Sequence, residues 1–250
     1  MSNHLSLRSG NPVLKANTFI QRQTAIDTGT MTITGTVNKT ALGLLLLMTT
    51  AIFTWNMAPT DPRISGLMMV GIFGGLIAAM ITVFKQHLAP YTTPIYALLE
   101  GLALGGISRF FETLYPGIVN QAVFLTFGTL AALLFAYQSG LIKPTENFKL
   151  GIVAATGGIF FVYIISFILG LFGVQVPLIH SNSNFGILFS FGVVVIAALN
   201  LVLDFDFIEE GTEIGAPKYM EWFGAFGLLV TLVWLYLEIL HLLAKLQSRR

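Results

Sequence analysis

From Val37 onward the chain is a succession of apolar runs separated by short polar breaks. A helix rises about 1.5 Å per residue, so about 20 mostly apolar residues cross the hydrocarbon core of a bilayer. Seven stretches reach that length: Val37–Met57, Ile64–Phe84, Pro94–Leu114, Ile118–Ser139, Phe148–Phe172, Phe185–Ile208 and Trp222–Ala244. The breaks carry turn chemistry, with Pro and Gly as punctuation. Residues 58–63 read APTDPR, Tyr115-Pro116-Gly117 forms the next break, and 143–149 reads KPTENFK. A polar run, Ser181–Asn184, follows His180, and the longest break, Glu209–Met220, is acidic. The pattern predicts an all-α membrane protein with a seven-span domain over 37–246. A polar arm, 1–36, precedes it and a short basic tail, 247–250, follows.

Composition agrees. The 250 residues are 55% hydrophobic and only 10% charged, where a soluble domain carries about 25% charged residues. Most of the surface is therefore expected to face lipid. No cysteine is present, which excludes disulfides, thiolate metal sites and thiol catalysis. A net charge of +1 gives nucleic-acid binding no support. The arm is rich in Ser, Thr and Asn and holds no apolar run that could serve as a cleavable signal peptide, so insertion is expected to rely on the first span. With Arg8, Lys15 and Arg22 spread along it, the arm is expected to be largely flexible, leaning toward an anionic inner leaflet.

Lys and Arg set the orientation. A cytoplasmic N-terminus puts Arg8, Lys15, Arg22, Lys39, Lys85, Lys143, Lys149 and Lys218 inside, against Arg63 and Arg109 on the far side. The reading is therefore a multi-pass protein of the inner (plasma) membrane, N-terminus cytoplasmic. Lys245, Arg249 and Arg250 would then lie outside, unless the last segment re-enters without crossing; its apolar length favours crossing. Gly71 with Gly75, and Gly101 with Gly105, are four apart on single faces, a spacing that lets helices approach closely in lipid.

A charge at the centre of a span costs about 2.5–3.5 kcal/mol on insertion scales, so acids within apolar runs are informative. Four stand out: Glu100, Asp204, Asp206 and Glu238. Glu238 is the most deeply placed, and His241 and Lys245 follow on the same helical face. A local pair with His241, or a snorkelling side chain, is the plainer reading; a cavity-facing carboxylate suits the depth better. Asp204 and Asp206 point about 200° apart on a helix, so only one can face the interior. Asn200, one turn before Asp204, favours Asp204, while Asp206 can reach water. Glu100 fits an interhelical hydrogen bond equally well. Two facing carboxylates in a dry site can share a proton, switch with pH and offer hard oxygen ligands to calcium. Enzyme chemistry has no foothold: His4, His87, His180 and His241 form no HExxH pattern, and GxSxG, GxxxxGK[ST] and GxGD are absent. No cofactor is expected.

Three segments together resemble the Bax inhibitor family of membrane proteins, in its bacterial YccA-like branch. They are Tyr96–Gly105 (YALLEGLALG), Leu203-Asp204 with Ile208 and Glu210, and Leu235–Ile239 (LYLEI). The resemblance covers about Val37 to Leu246. It implies a seven-helix bundle with the last helix central, and a pH-sensitive calcium leak controlled by a carboxylate pair between the sixth and seventh spans. Carried over, that pair is Asp204 and Glu238, which would also be the transient calcium ligands. Asn200, Glu100, His241 and Asp206 are candidate neighbours. The chain departs from the family in having Glu at 238 where Asp is usual, and in having no arginine within Ile64–Phe84. Level helices of unbroken length would leave Asp204 and Glu238 at different depths, so the seventh span is expected to begin late or to break near Gly224–Gly227. The rival reading is a non-conducting adaptor. Some bacterial relatives are linked to a membrane protease, and an exposed arm suits such a partner. The expected partners are the lipid bilayer, calcium or protons, and in the rival reading a membrane protease.

Overall fold

Within lipid a single segment can satisfy all its backbone N–H and C=O groups only as a helix, and the long apolar runs of this chain fold accordingly. The computed structural model describes residues 29–58, 60–173 and 183–249. Its helices are α1 Ile33–Trp55, α2 Arg63–Phe84, α3 Ala89–Leu114, α4 Ile118–Gln138, α5 Glu146–Leu171, α6 Asn184–Glu213 and α7 Met220–Gln247, with a 3-10 turn at Gln86–Leu88. Among the described residues the one β-type pairing is an isolated antiparallel bridge between Thr30 and Pro217. Six of these helices are long and apolar enough to cross a membrane. The remaining one, α3, interrupts its apolar residues with Thr92, Thr93, Glu100, Arg109 and Glu112.

Several boundaries differ from the expected ones, each for a local reason. Helix α1 begins at Ile33, inside the expected arm, because Thr32 caps it: the Thr32 side chain accepts from the Gly35 amide at 3.0 Å. Residues 1–28 of that arm lie outside the described residues, as do His180 and the start of the Ser181–Asn184 break. Helix α3 starts at Ala89 rather than Pro94, with Pro90 in its first turn, where a missing N–H is harmless. Helix α6 runs on to Glu213, so the acidic break is shorter than expected. It stops where Gly215 takes φ +67°, with Ala216 N–H donating to the Gly211 carbonyl and Gly215 N–H to that of Thr212. This is the Schellman stop that favours glycine. Helix α7 neither starts late nor breaks near Gly224–Gly227; it is one helix of 28 residues. Gly224 serves packing instead. A Cβ there would stand 3.2 Å from the side chains of both Ile208 and Thr36.

The described chain divides into two units. One comprises 29–119 with Phe207–Val230, the other 120–206 with 231–249. In the first, α3 packs on α1 through Gly101 and Gly105, where any Cβ would strike the Leu47 and Ala51 carbonyls. Gly71 of α2 likewise packs against the Leu99 and Ala103 backbone of α3, somewhat less tightly. Both spacings noted in the sequence are thus close-packing faces. Tyr96 meets Phe226 edge-on at 5.0 Å, and the Thr93 hydroxyl donates to the Trp222 carbonyl at 3.2 Å. The second unit is built from α4, α5, the first part of α6 and the last part of α7. Burial is uneven: 67% of the most apolar stretch of α7 is buried and 50% of that of α6, against 11% for α5. Phe135 of α4 and Phe161 and Phe167 of α5 are exposed, as lipid-facing rings would be.

Candidate functional site

Helix α5 starts at a conventional cap, with Thr145 accepting from the Phe148 amide and Glu146 in the first turn, where a negative charge suits the helix dipole. Three of its polar residues then follow at seven-residue intervals: Lys149, Thr156 and Tyr163. Seven residues turn 700°, only 20° short of two turns, so the three lie on nearly one face at intervals of about 10.5 Å. Each member of this line engages a polar group of α6 or α7. Lys149, buried despite its charge, pairs with Asp206 at 2.5 Å and lies 4.0 Å from Glu146. The Asn200 amide nitrogen donates to the Thr156 hydroxyl at 2.9 Å and to the Ile196 carbonyl at 2.8 Å. Among the described residues the buried Asn200 Oδ1 has no hydrogen-bond partner. The Tyr163 hydroxyl donates to Glu238 Oε1 at 2.9 Å, and Trp234 Nε1 donates to the same oxygen at 3.2 Å.

Asp204 is completely buried, one helical turn beyond Asn200, whereas the Asp206 side chain is 23% exposed in its pair with Lys149. Glu238 is buried as well. His241 is exposed and, with Glu238, Tyr163, Ser190 and Lys245, lines a cavity of about 540 Å³. Glu100 belongs to the other unit, half-buried on α3 beside Gly75 of α2, the missing side chain leaving room for its carboxylate.

The contacts that Asp206 and Glu238 make with α5 lie far apart. Asp206 meets α5 at Lys149 and Glu238 meets it at Tyr163, fourteen residues and about 21 Å further along the axis. Asp204 is only about 3 Å of rise from Asp206. Side-chain reach narrows the gap, but along α5 Asp206 and Glu238 stand in file rather than face to face. Among the described residues no three His, Cys, Asp or Glu side chains converge on a metal-sized site.

Sequence reasoning overlooked Lys149, Thr156 and Tyr163 as a set. Their heptad spacing was the available signal, masked by attention to acids alone. It also passed over Glu221, whose carboxylate is fully buried in the other unit. Glu221 accepts from the Thr32 amide at 3.0 Å and the Thr32 hydroxyl at 2.8 Å, and pairs with Lys39 and with Lys218, the latter at 2.7 Å. Alongside, Met31 N–H donates to the Ala216 carbonyl at 2.7 Å and Lys218 N–H to that of Gly29 at 3.2 Å. This node fastens the start of α1 to the α6–α7 loop.

Long apolar helices with exposed aromatic faces and a few buried, partnered ionisable groups define a polytopic α-helical membrane protein. The family described as Bax inhibitor 1 like matches residues 11–248, and the chain belongs to it. No curated protein and no solved structure matches the chain.

Proposed function

We propose that this protein is a pH-sensitive cation leak of the cell's inner membrane, with calcium as the permeant ion and the N-terminus cytoplasmic. In this reading α1–α7 all cross, α7 is central, and Asp204 and Glu238 are the acidic stations of the path. The observation that carries it is the file of partnered polar groups along α5, from Lys149–Asp206 through Thr156–Asn200 to Tyr163–Glu238. Burying such groups in a membrane helix is expensive, and they commonly mark ion or proton pathways. A carboxylate along such a file changes charge with pH and, when ionised, supplies hard oxygen ligands. The spacing supports two stations in series rather than one proton-sharing pair.

A second reading has its own observation. Gly29–Thr32 is held against Ala216–Lys218 and Glu221, so a force on the arm would act on the α6–α7 loop. That suits a non-conducting adaptor engaging a membrane protease through its arm. Calcium flux into liposomes holding the purified protein, from pH 6 to 8, separates the two. The leak reading expects pH-dependent flux altered by Asp204→Asn and by Glu238→Gln. A folded protein with no flux above empty liposomes would discard it in favour of the adaptor.

A further inference from the structure

Lys245 stands two turns beyond Glu238 on the same face of α7, and helical side chains lean toward the N-terminus of their helix. Lys245 therefore leans back toward Glu238. Near a helix end a lysine commonly extends its ammonium outward to the membrane surface. This one instead crosses to α6, where Nζ donates to the Ser190 hydroxyl at 2.7 Å and to the Gly186 carbonyl at 3.3 Å. Ser190 is buried and lies one turn deeper into α6 than Gly186. Ser190, Tyr163 and Glu238 share the 540 Å³ cavity with Lys245. The Glu238 carboxylate and the Tyr163 and Ser190 hydroxyls thus offer that cavity hard oxygens of the kind metal cations select. The Lys245 ammonium already takes one of those oxygens, the Ser190 hydroxyl, and is held there by the Gly186 carbonyl as well.

We propose that Lys245 is a tethered counter-cation, whose ammonium fills the hard-oxygen site beside Glu238 and must be displaced before a metal cation can occupy that cavity. The inference deepens the leak reading and rests on it for the meaning of the site, but its test does not depend on flux. A charge on the protein competes with a cation for the same oxygens and repels it, so removing that charge uncovers the site. Arginine keeps the charge and glutamine does not.

The protein with Trp234 as its sole tryptophan (Trp55→Phe, Trp222→Phe) is titrated with calcium chloride in micelles at one fixed pH. Trp234 touches the Glu238 carboxylate and reports its occupation. Lys245→Gln and Lys245→Met should lower the calcium midpoint at least about tenfold, the effect of deleting a nearby unit charge. Lys245→Arg should resemble the parent, and adding Glu238→Gln should abolish the response. Two variants guard against a folding failure in one. An unchanged midpoint in both neutral variants, or an arginine variant that behaves like them, would overturn the tether. Liposome flux separates the two ideas: parent flux without the midpoint shift overturns the tether alone. The shift without any flux leaves the tether standing and removes the leak.

Discussion

The Tyr163 hydroxyl lies 2.9 Å from Glu238 Oε1, joining the middle of α5 to the most deeply placed acid of α7. Trp234 Nε1 approaches the same oxygen from one turn earlier on α7, at 3.2 Å. One carboxylate oxygen thus satisfies two aromatic donors in an apolar setting. Removing it strands both donors, whereas exchanging its chemistry need not.

The expected order of stability follows from that asymmetry. Glu238→Gln retains a carbonyl oxygen that can accept from both rings, so it should change stability least. Tyr163→Phe removes one donor and should cost about 1–2 kcal/mol, and Glu238→Ala, which strands two, about 2–4 kcal/mol. Reversible unfolding in mixed micelles, followed by circular dichroism, measures the order. Equal losses for Ala and Gln would show that these bonds contribute little.

A second test concerns Glu221. Breaking a buried ion pair from one side leaves uncompensated charge and costs about 3–5 kcal/mol. Lys39 and Lys218 are 20% and 43% exposed, so solvent can recover part of their charge. The lower end, about 3 kcal/mol, is expected for Glu221→Ala. Amide exchange should also accelerate at Thr32, whose N–H donates to this carboxylate. Unaltered Thr32 exchange in a destabilised variant would show that the node does not hold the start of α1.

How much of this was readable beforehand differs from element to element. The spans were legible because twenty apolar residues leave the chain few alternatives in lipid. The helix ends were less so: they depend on a Thr32 cap and a Gly215 stop, which lie outside the apolar runs that drew the boundaries. Asp204 and Glu238 stood out because charge in an apolar run is conspicuous. The α5 side of the site did not, because Thr156, which meets Asn200, and Tyr163, which meets Glu238, are unremarkable in any helix until α6 and α7 lie beside them. The expected break at Gly224–Gly227 failed for a related reason. Glycine permits both a kink and a close approach, and only the presence of Ile208 and Thr36 decides between them.

The glycines offer a controlled comparison. Gly101→Ala puts a Cβ into the Leu47 carbonyl and the Thr50 hydroxyl, and backbone cannot swing aside as a flexible side chain would. A loss of about 1–3 kcal/mol is expected. At Gly128 of α4 and Gly158 of α5 a Cβ would meet nothing within 4 Å. Alanine there should leave stability unchanged or raise it by up to about 1 kcal/mol through helix propensity. Micelle unfolding of the three variants checks the contrast, which disappears if Gly101 is not a packing glycine.

The arrangement of the acids can be decided by additivity. Two carboxylates sharing one proton titrate as a unit, so removing either removes the function of both, and the double variant is no worse than a single one. Two stations about 18 Å apart along α5 act in series with little direct coupling, so their effects on the logarithm of flux should add. The file of contacts favours the second case: Glu238 is reached through Tyr163, whereas Asp204 lies on the Asn200 face, near the Lys149–Asp206 end. Measuring calcium flux for Asp204→Asn, Glu238→Gln and the double variant at one pH gives the coupling directly. Summed effects in the double variant would place the two acids in series, while a double variant equal to either single one would restore the proton-sharing pair. Thr156→Val provides an internal control on the path itself. It removes the hydroxyl that Asn200 contacts between the two stations without altering any charge, and should lower flux while leaving the coupling between the acids unchanged.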